Sequence, residues 1–294
     1  MTPLPRVAWI GLGVMGSPMA ENLLRAGYPV TGYTLEQHKL DRLAAHGGVP
    51  APSAAEAARN ADVIVTMLPA DADVTAVAHG PDGILDRARP GALLIDMSTV
   101  APGTAVALAA AGAEHGLRVL DAPVSGGEAG AVEGSLSVMA GGRAEDVEAA
   151  RPLFEVLGGT VVHCGPHGAG QTVKAANQLI VAAGLQACAE AVVLLERSGV
   201  DVDAALDVIG GGLAASAVLT RKRRNFLDRD FTPGFRIDLH HKDMGIVTAA
   251  AREARLTLPL AELAARLIAE ARERGDGGLD HSALLRGVER AAAS

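Results

Sequence analysis

The sequence predicts an α/β chain in two parts, a doubly wound, mostly parallel sheet over residues 1–165 followed by an all-helical domain over 166–294. Three observations carry this. Short β-branched runs alternate with alanine-rich segments through the first half, each run bounded by Gly, Pro or Asp. Strands separated by helices need crossover connections, which give parallel pairing with both sheet faces covered. After Gly165-Pro166 the strand signals stop and only helical patterns follow. Hydrophobic residues are 49% of the 294 and charged residues 20%, enough apolar material for a substantial core and too much for a disordered chain.

Taken in order, Val7–Ile10 reads as a strand, 15–26 as a helix, Val30–Tyr33 as a strand and 40–46 as a helix. Helix 53–59, strand 63–67, helix 71–78, strand 93–96 and helix 102–115 continue the alternation. Strands 118–120, 137–140 and 161–163 follow, with helix 144–157 between the last two. The second part reads as helices over 171–197, 201–211, 216–227, 240–254 and 259–274, with Gly or Asp near their ends. The helix from 171 serves as both connector and core of the second domain.

Composition excludes several function classes. Aromatic residues are only 2% of the chain and the formal charge is −8, so neither base-stacking platforms nor a broad basic footprint for nucleic acid is expected. The one basic run, Arg221-Lys222-Arg223-Arg224, is flanked by Asp228 and Asp230 and reads as a helix face or interface. Two cysteines, Cys164 and Cys188, are too few for a disulfide framework. The opening residues run straight toward a strand with no basic-then-apolar signal, and the long apolar stretch at 179–195 is interrupted by Gln186 and Glu190. A cytoplasmic protein with no membrane partner is expected. An apolar helix as long as 171–197 exceeds what a small helical domain hides alone, so a homodimer or homotetramer is expected too.

Gly11-Leu12-Gly13-Val14-Met15-Gly16 lies between a strand and a helix. There glycines permit a tight turn and close backbone approach to a pyrophosphate, and the helix start supplies N–H donors. That is the fingerprint of a Rossmann-type dinucleotide site. The residues after the second strand, Thr34, Leu35 and Glu36, meet the adenosine ribose in such a fold. They contain no arginine for a 2′-phosphate and one acid for a 2′-hydroxyl, so the cofactor is NAD or NADP with NAD favoured.

Asp121-Ala-Pro-Val-Ser125-Gly126-Gly127 follows a strand. Free backbone amides beside a hydroxyl make either a carboxylate seat or an ordinary turn. Adjacent His240 and His241 point about 100° apart on a helix and do not ligate one metal together, so no metal is expected. Lys174, Asn177 and Gln178 stand at i, i+3 and i+4 on one face of an apolar helix. Positions 170, 171, 177 and 178 offer no acid for a salt bridge on that helix, which favours a polar pocket.

Four motifs in order, Gly11–Gly16, Asp121–Gly127, Gly168-Ala-Gly-Gln-Thr-Val-Lys174 and Lys242-Asp243, make the chain resemble the β-hydroxyacid dehydrogenase family over nearly its whole length. The resemblance implies that Lys174 is the general acid, protonating an aldehyde oxygen as hydride arrives. A lysine in a closed apolar cleft has its pKa depressed toward neutrality, which suits that exchange. It implies that Ser125, Gly126 and Gly127 hold the substrate carboxylate and Asn177 or Gln178 a substrate oxygen. Thr99 and Lys242 would contact the cofactor, as would Met67, Leu68 and Pro69. Phe235 and Asp243 would help close the cleft.

Within the family, Gly211–Ser216, Pro233–His240 and Asp280–Leu284 look most like the branch that reduces tartronate semialdehyde to glycerate. The alternative substrate is 3-hydroxyisobutyrate or another short 3-hydroxy acid. Two departures bear on this. The chain has Leu35 where many NADP-using members carry arginine, and Thr34 where NAD-preferring ones often carry an acid. The related 6-phosphogluconate dehydrogenases carry histidine at the place of Asn177, and imine reductases lack the lysine, so a carbonyl substrate is expected. A rival of another class, a non-catalytic dinucleotide-binding module, is disfavoured because Lys174 and the Ser125 turn are both present.

Overall fold

A computed structural model describes residues 3–80 and 83–293. Two compact units are present, Met1–Lys174 and Ala175–Ser294.

The first unit carries β1 (Val7–Ile10), α1 (Gly16–Arg25), β2 (Val30–Tyr33), α2 (Gln37–Ala45), β3 (Val49–Pro50), α3 (Ala54–Ala58) and β4 (Val63–Thr66). It continues with α4 (Asp71–His79), α5 (Ile84–Arg87), β5 (Leu93–Asp96), α6 (Pro102–Glu114), β6 (Arg118–Asp121), β7 (Val124–Ser125), α7 (Gly127–Glu133), β8 (Ser137–Gly141), α8 (Ala144–Leu157) and β9 (Thr160–Gly165). The strands form one sheet in the order β3-β2-β1-β4-β5-β6-β8-β7, with β9 on β8. Pairing is parallel except where β8 meets β6 and β7.

Side chains alternate across a strand, and the two cores show it. Val7, Trp9, Val63, Val65, Leu93 and Ile95 belong to the core on one face. Ala8, Ile10, Ile64 and Leu94 belong to the core on the other. A sheet covered on both faces by its crossover helices is the doubly wound architecture that the β-branched runs predict.

Next come α9 (Ala169–Arg197), α10 (Val202–Gly210), α11 (Ala217–Asp228), α12 (Ile237–Glu253), α13 (Pro259–Ala271) and α14 (Leu285–Ala293). A π-helical turn at Arg272–Asp276 and a 3-10 turn at His281–Leu284 interrupt the last part. Ala175, Ala182, Leu185, Ala189, Val192 and Val193 of α9 are buried at helical spacing in the core of the second unit, so α9 is its spine. Among the described residues α9 is the one helix long and apolar enough to cross a membrane, by length and composition. Ile180 and Leu194 on α9, with Val208 and Leu213, are exposed.

Several boundaries and elements differ from the sequence expectation. The helix predicted from 171 starts at Ala169. The helix predicted from 240 starts at Ile237, because Ile237 and Asp238 donate their backbone N–H groups to the carbonyls of Leu279 and Gly277. His240 and His241 therefore lie inside α12 and do not open it. The short elements β3, α5, β7 and α7 carry too little periodicity to be read from the chain, whereas α14 is strongly amphipathic and goes beyond the sequence expectation.

Candidate functional site

The strands of the sheet end in register, and this gathers the predicted residues of the first unit. Ile10 pairs with Tyr33 and Thr66, Thr66 with Asp96, and Asp96 with Asp121. The loops carrying Gly11–Gly16, Thr34–Glu36, Met67–Pro69, Thr99 and Ser125–Gly127 therefore all leave from one edge, where open parallel sheets bind ligands.

At the glycine loop, Gly11 adopts φ +101° and a Cβ on it would strike the Met67 carbonyl. A Cβ on Gly16 would strike the Gly11 carbonyl. These two glycines are demanded by the protein itself. Gly13 differs, since a Cβ there would meet nothing within 4 Å. Its lack of a side chain leaves open space beside the start of α1, where Met15 provides no side-chain cap. A cleared backbone at the start of a helix, where the helix dipole favours negative charge, fits a dinucleotide pyrophosphate. Ser17 Oγ donates to the Leu12 carbonyl at 2.8 Å and holds the loop.

Ser98 ties neighbouring loops together. Its Oγ accepts from Leu68 N at 2.9 Å, fixing the segment that runs into Pro69. Asp96, fully buried, accepts from Thr66 Oγ1 at 2.8 Å and from Ser98 N at 3.2 Å. Burial pushes its carboxyl above the usual range, against those hydrogen bonds. Gln171 brackets Thr99, accepting from Val100 N at 3.2 Å and donating to the Ser98 carbonyl at 2.8 Å. Three residues on, Lys174 is only 7% exposed. Gly126 and Gly127 both have positive φ, at +143° and +65°, and with half-buried Ser125 they form the turn into α7.

In the second unit Asn177 Nδ2 donates to Gln178 Oε1 at 2.8 Å, and Gln178 Nε2 donates to Asp243 Oδ2 at 2.5 Å. Lys242 Nζ lies 3.2 Å from Asp243 Oδ1. Phe235 packs its ring against His240 and His281, with centroids 5.8 and 5.3 Å away. The ring nitrogens of His240 and His281 are 3.2 Å apart.

Asp280, which carries no individual signal in the sequence, is the hub of a buried network. It accepts from Lys222 Nζ at 2.8 and 2.9 Å and from the backbone N–H groups of Gly234 and Phe235 at 3.0 Å. That anchors the loop bearing Phe235. The basic run is consumed in the same way, with Arg223 on Asp203 and Asp207 and Arg224 4.0 Å from Asp228. Gln171, Asp96 and Asp121 were likewise not singled out. Asp121 stands in the Ser125 motif and Gln171 in the Gly168–Lys174 motif, which are visible signals, whereas Asp96 has none beyond the end of its strand.

Comparison with known proteins shows the family. Residues 6–165 match the NAD binding domain of 6-phosphogluconate dehydrogenase, and residues 168–288 match the NAD-binding domain of NADP-dependent 3-hydroxyisobutyrate dehydrogenase. The chain is 40% identical to NAD-dependent L-serine dehydrogenase of Pseudomonas aeruginosa, over 90% of this chain and 91% of that one. It is 37% identical to 2-hydroxy-3-oxopropionate reductase of Escherichia coli, over 97% of each. The solved structure of Mycobacterium tuberculosis 3-hydroxyisobutyrate dehydrogenase with L-serine superposes with a TM-score of 0.87 at 36% identity, covering 97% of this chain and 99% of that one. With an NAD(P)-binding sheet, a helical second unit and matches along nearly its full length, the chain belongs to the 3-hydroxyisobutyrate dehydrogenase family, the NAD(P)-dependent β-hydroxyacid dehydrogenases.

Proposed function

We propose that the enzyme reduces tartronate semialdehyde (2-hydroxy-3-oxopropanoate) to glycerate, with Lys174 as the general acid. The observation that carries the chemistry is the burial of Lys174 on the second turn of α9, a helix whose start is built into the sheet edge where the cofactor loops converge. An ammonium group placed beside the cofactor loops can donate its proton to a carbonyl oxygen as hydride arrives. A nicotinamide cofactor, when bound, would supply the hydride. Lys174 then delivers the proton to the aldehyde oxygen in reduction and accepts it in the reverse direction.

Ser125 with the amides of Gly126 and Gly127 takes the substrate carboxylate. Asn177, one helical turn beyond Lys174, takes the C2 hydroxyl. Gln178 has both ends of its amide engaged, by Asn177 and Asp243, so its part is to orient Asn177. Thr99 and Lys242 contact the cofactor, together with Gly11–Gly16 and Met67–Pro69. Phe235 and Asp243 are assigned to the substrate on the family resemblance.

The named substrate is supported by the 37% identity to 2-hydroxy-3-oxopropionate reductase and by an amide at Asn177 suited to a hydroxyl. A site that hydrogen-bonds a substrate hydroxyl rejects the analogue lacking it far more strongly than an apolar pocket rejects an extra group. The second reading is oxidation of L-serine, favoured by the 40% identical relative. Serine and glycerate share the carboxylate and the C3 hydroxyl and differ only at C2. A panel of tartronate semialdehyde, glycerate, L-serine and 3-hydroxyisobutyrate, followed at the nicotinamide absorbance, decides between them. A low rank for tartronate semialdehyde removes the specific substrate and leaves the family. Replacing Lys174 by Ala is expected to lower kcat about 100- to 10,000-fold with cofactor still bound, and near wild-type turnover would overturn its role.

The exposed apolar side chains on the second unit support a homodimer or homotetramer. A monomer in sedimentation velocity at micromolar concentration would contradict that.

A further inference from the structure

We propose that Asp121 is a positioning residue for Lys174. Its carboxylate, at the end of β6, caps the first turn of α9 and so fixes where the lysine's turn begins. The proposal rests on Lys174 being the proton donor.

The first N–H groups of a helix have no partner within it, and a side chain just before the helix usually supplies one. At α9 that place is held by Gly168, at φ +86°, which has no side chain to offer. The cap comes instead from far along the chain. Asp121 Oδ1 accepts from Gly168 N at 2.8 Å and Oδ2 accepts from Gln171 N at 3.0 Å. A carboxylate at this end of the helix also meets the favourable end of its dipole.

The backbone around the carboxylate is cut to admit it. A Cβ on Gly141 would lie 2.6 Å from Asp121 Oδ1, and one on Gly170 would lie 2.8 Å from Oδ2. Asp121 is 2% exposed, and burial drives its carboxyl upward against the backbone hydrogen bonds from Gly168 and Gln171. The backbone of the aspartate is held in the sheet, because β6 pairs with β5 through Asp121 and Asp96. A rigid strand therefore holds the helix by two backbone amides.

Gln171 completes the clamp. It is 1% exposed and stands three residues before Lys174, on the same helix face. While its N–H is held by Asp121, its amide grips both sides of Thr99. The turn leading to the lysine and the loop expected to touch the cofactor thus share one anchor.

The experiment compares Asp121→Asn with wild type and Lys174→Ala, in the full-length enzyme. Asparagine keeps the size but turns one acceptor into a donor facing an N–H. Expected are a fall in kcat of about 10- to 100-fold, as for a small misplacement of a reacting group, and KM values within about twofold. Faster hydrogen exchange of the amides at 168–174 should accompany it. A fold defect alone would lower the active fraction without raising the solvent deuterium isotope effect on kcat. A misplaced proton donor raises it.

Wild-type kcat in Asp121→Asn, or unchanged exchange at 168–171, overturns the proposal. Should Asp121→Asn fail to fold, Asp121→Ser, which adds no bulk, is read by the same measurements and the same criteria. Lys174→Ala separates the two assignments. Lost turnover with slow exchange at 168–171 supports both, whereas retained turnover removes the lysine's role and with it this one, leaving only a structural cap.

Discussion

Gln178 Nε2 donates to Asp243 Oδ2 at 2.5 Å, joining α9 to α12 through two buried side chains. The Gln178 amide is held at its other end by Asn177. Two side chains, Gln178 and Asp243, therefore set the rotamer of Asn177 from behind. Removing the carboxylate leaves a buried amide donor without its partner, at a cost of about 1–3 kcal/mol. Asp243→Ala is expected to lose that much in urea unfolding and to raise KM for the aldehyde, because Asn177 is no longer held. Unchanged stability would show that the contact is not formed in solution.

The two kinds of glycine in the first loop separate fold from binding. A methyl at Gly16 meets the Gly11 carbonyl, so Gly16→Ala is expected to destabilise by about 1–3 kcal/mol. A methyl at Gly13 meets open space. Gly13→Ala should leave stability within about 0.5 kcal/mol of wild type while weakening NADH binding in a fluorescence titration. If Gly13→Ala binds NADH normally, the pyrophosphate does not approach that backbone.

His281 makes stability depend on pH. Burial, then the neighbouring His240 and Lys222, hold it at about 3, against the opposing pull of Asp280. The unfolded chain takes up that proton near 6.5, so the stabilisation is complete above pH 6.5 and is lost as pH falls toward 3. The slope is at most about 1.4 kcal/mol per pH unit for one proton. Thermal melts of wild type should drop between pH 7 and 5, and His281→Asn, with His240 left in place, should flatten that drop. Equal slopes in the two proteins would refute the assignment.

What the sequence revealed follows from the range of the forces involved. Periodicity and glycine punctuation are local, so β5 and α8 are placed at the bounds observed and the glycine loop falls between the strand and helix that it needs. The capping of α12 by the backbone of 277–279 and of α9 by Asp121 joins residues dozens of positions apart, and no local pattern records such pairs. Likewise the basic run at 221–224 shows its charge in the sequence. Its partner Asp280 emerges only when α11 meets the turn at 281–284.

Cofactor preference turns on the end of β2. Leu35 is 89% exposed there, and Glu36 is ion-paired with Lys39. The hydrogen bond from Lys39 lowers the Glu36 carboxyl below its ordinary value, so it is ionised at neutral pH. An ionised carboxylate accepts a hydrogen bond from a ribose 2′-hydroxyl and repels a 2′-phosphate. The nearest cation, Lys39, is already turned toward Glu36 and offers the phosphate little. NAD is therefore expected to bind more tightly than NADP, with the gap narrowing as ionic strength rises. Glu36→Gln should remove the repulsion and release Lys39, and Leu35→Arg should add the planar donor set that suits a phosphate. Both variants are expected to gain NADP affinity in paired fluorescence titrations. Tighter binding of NADP by the wild type, or no gain in either variant, would place the determinant elsewhere.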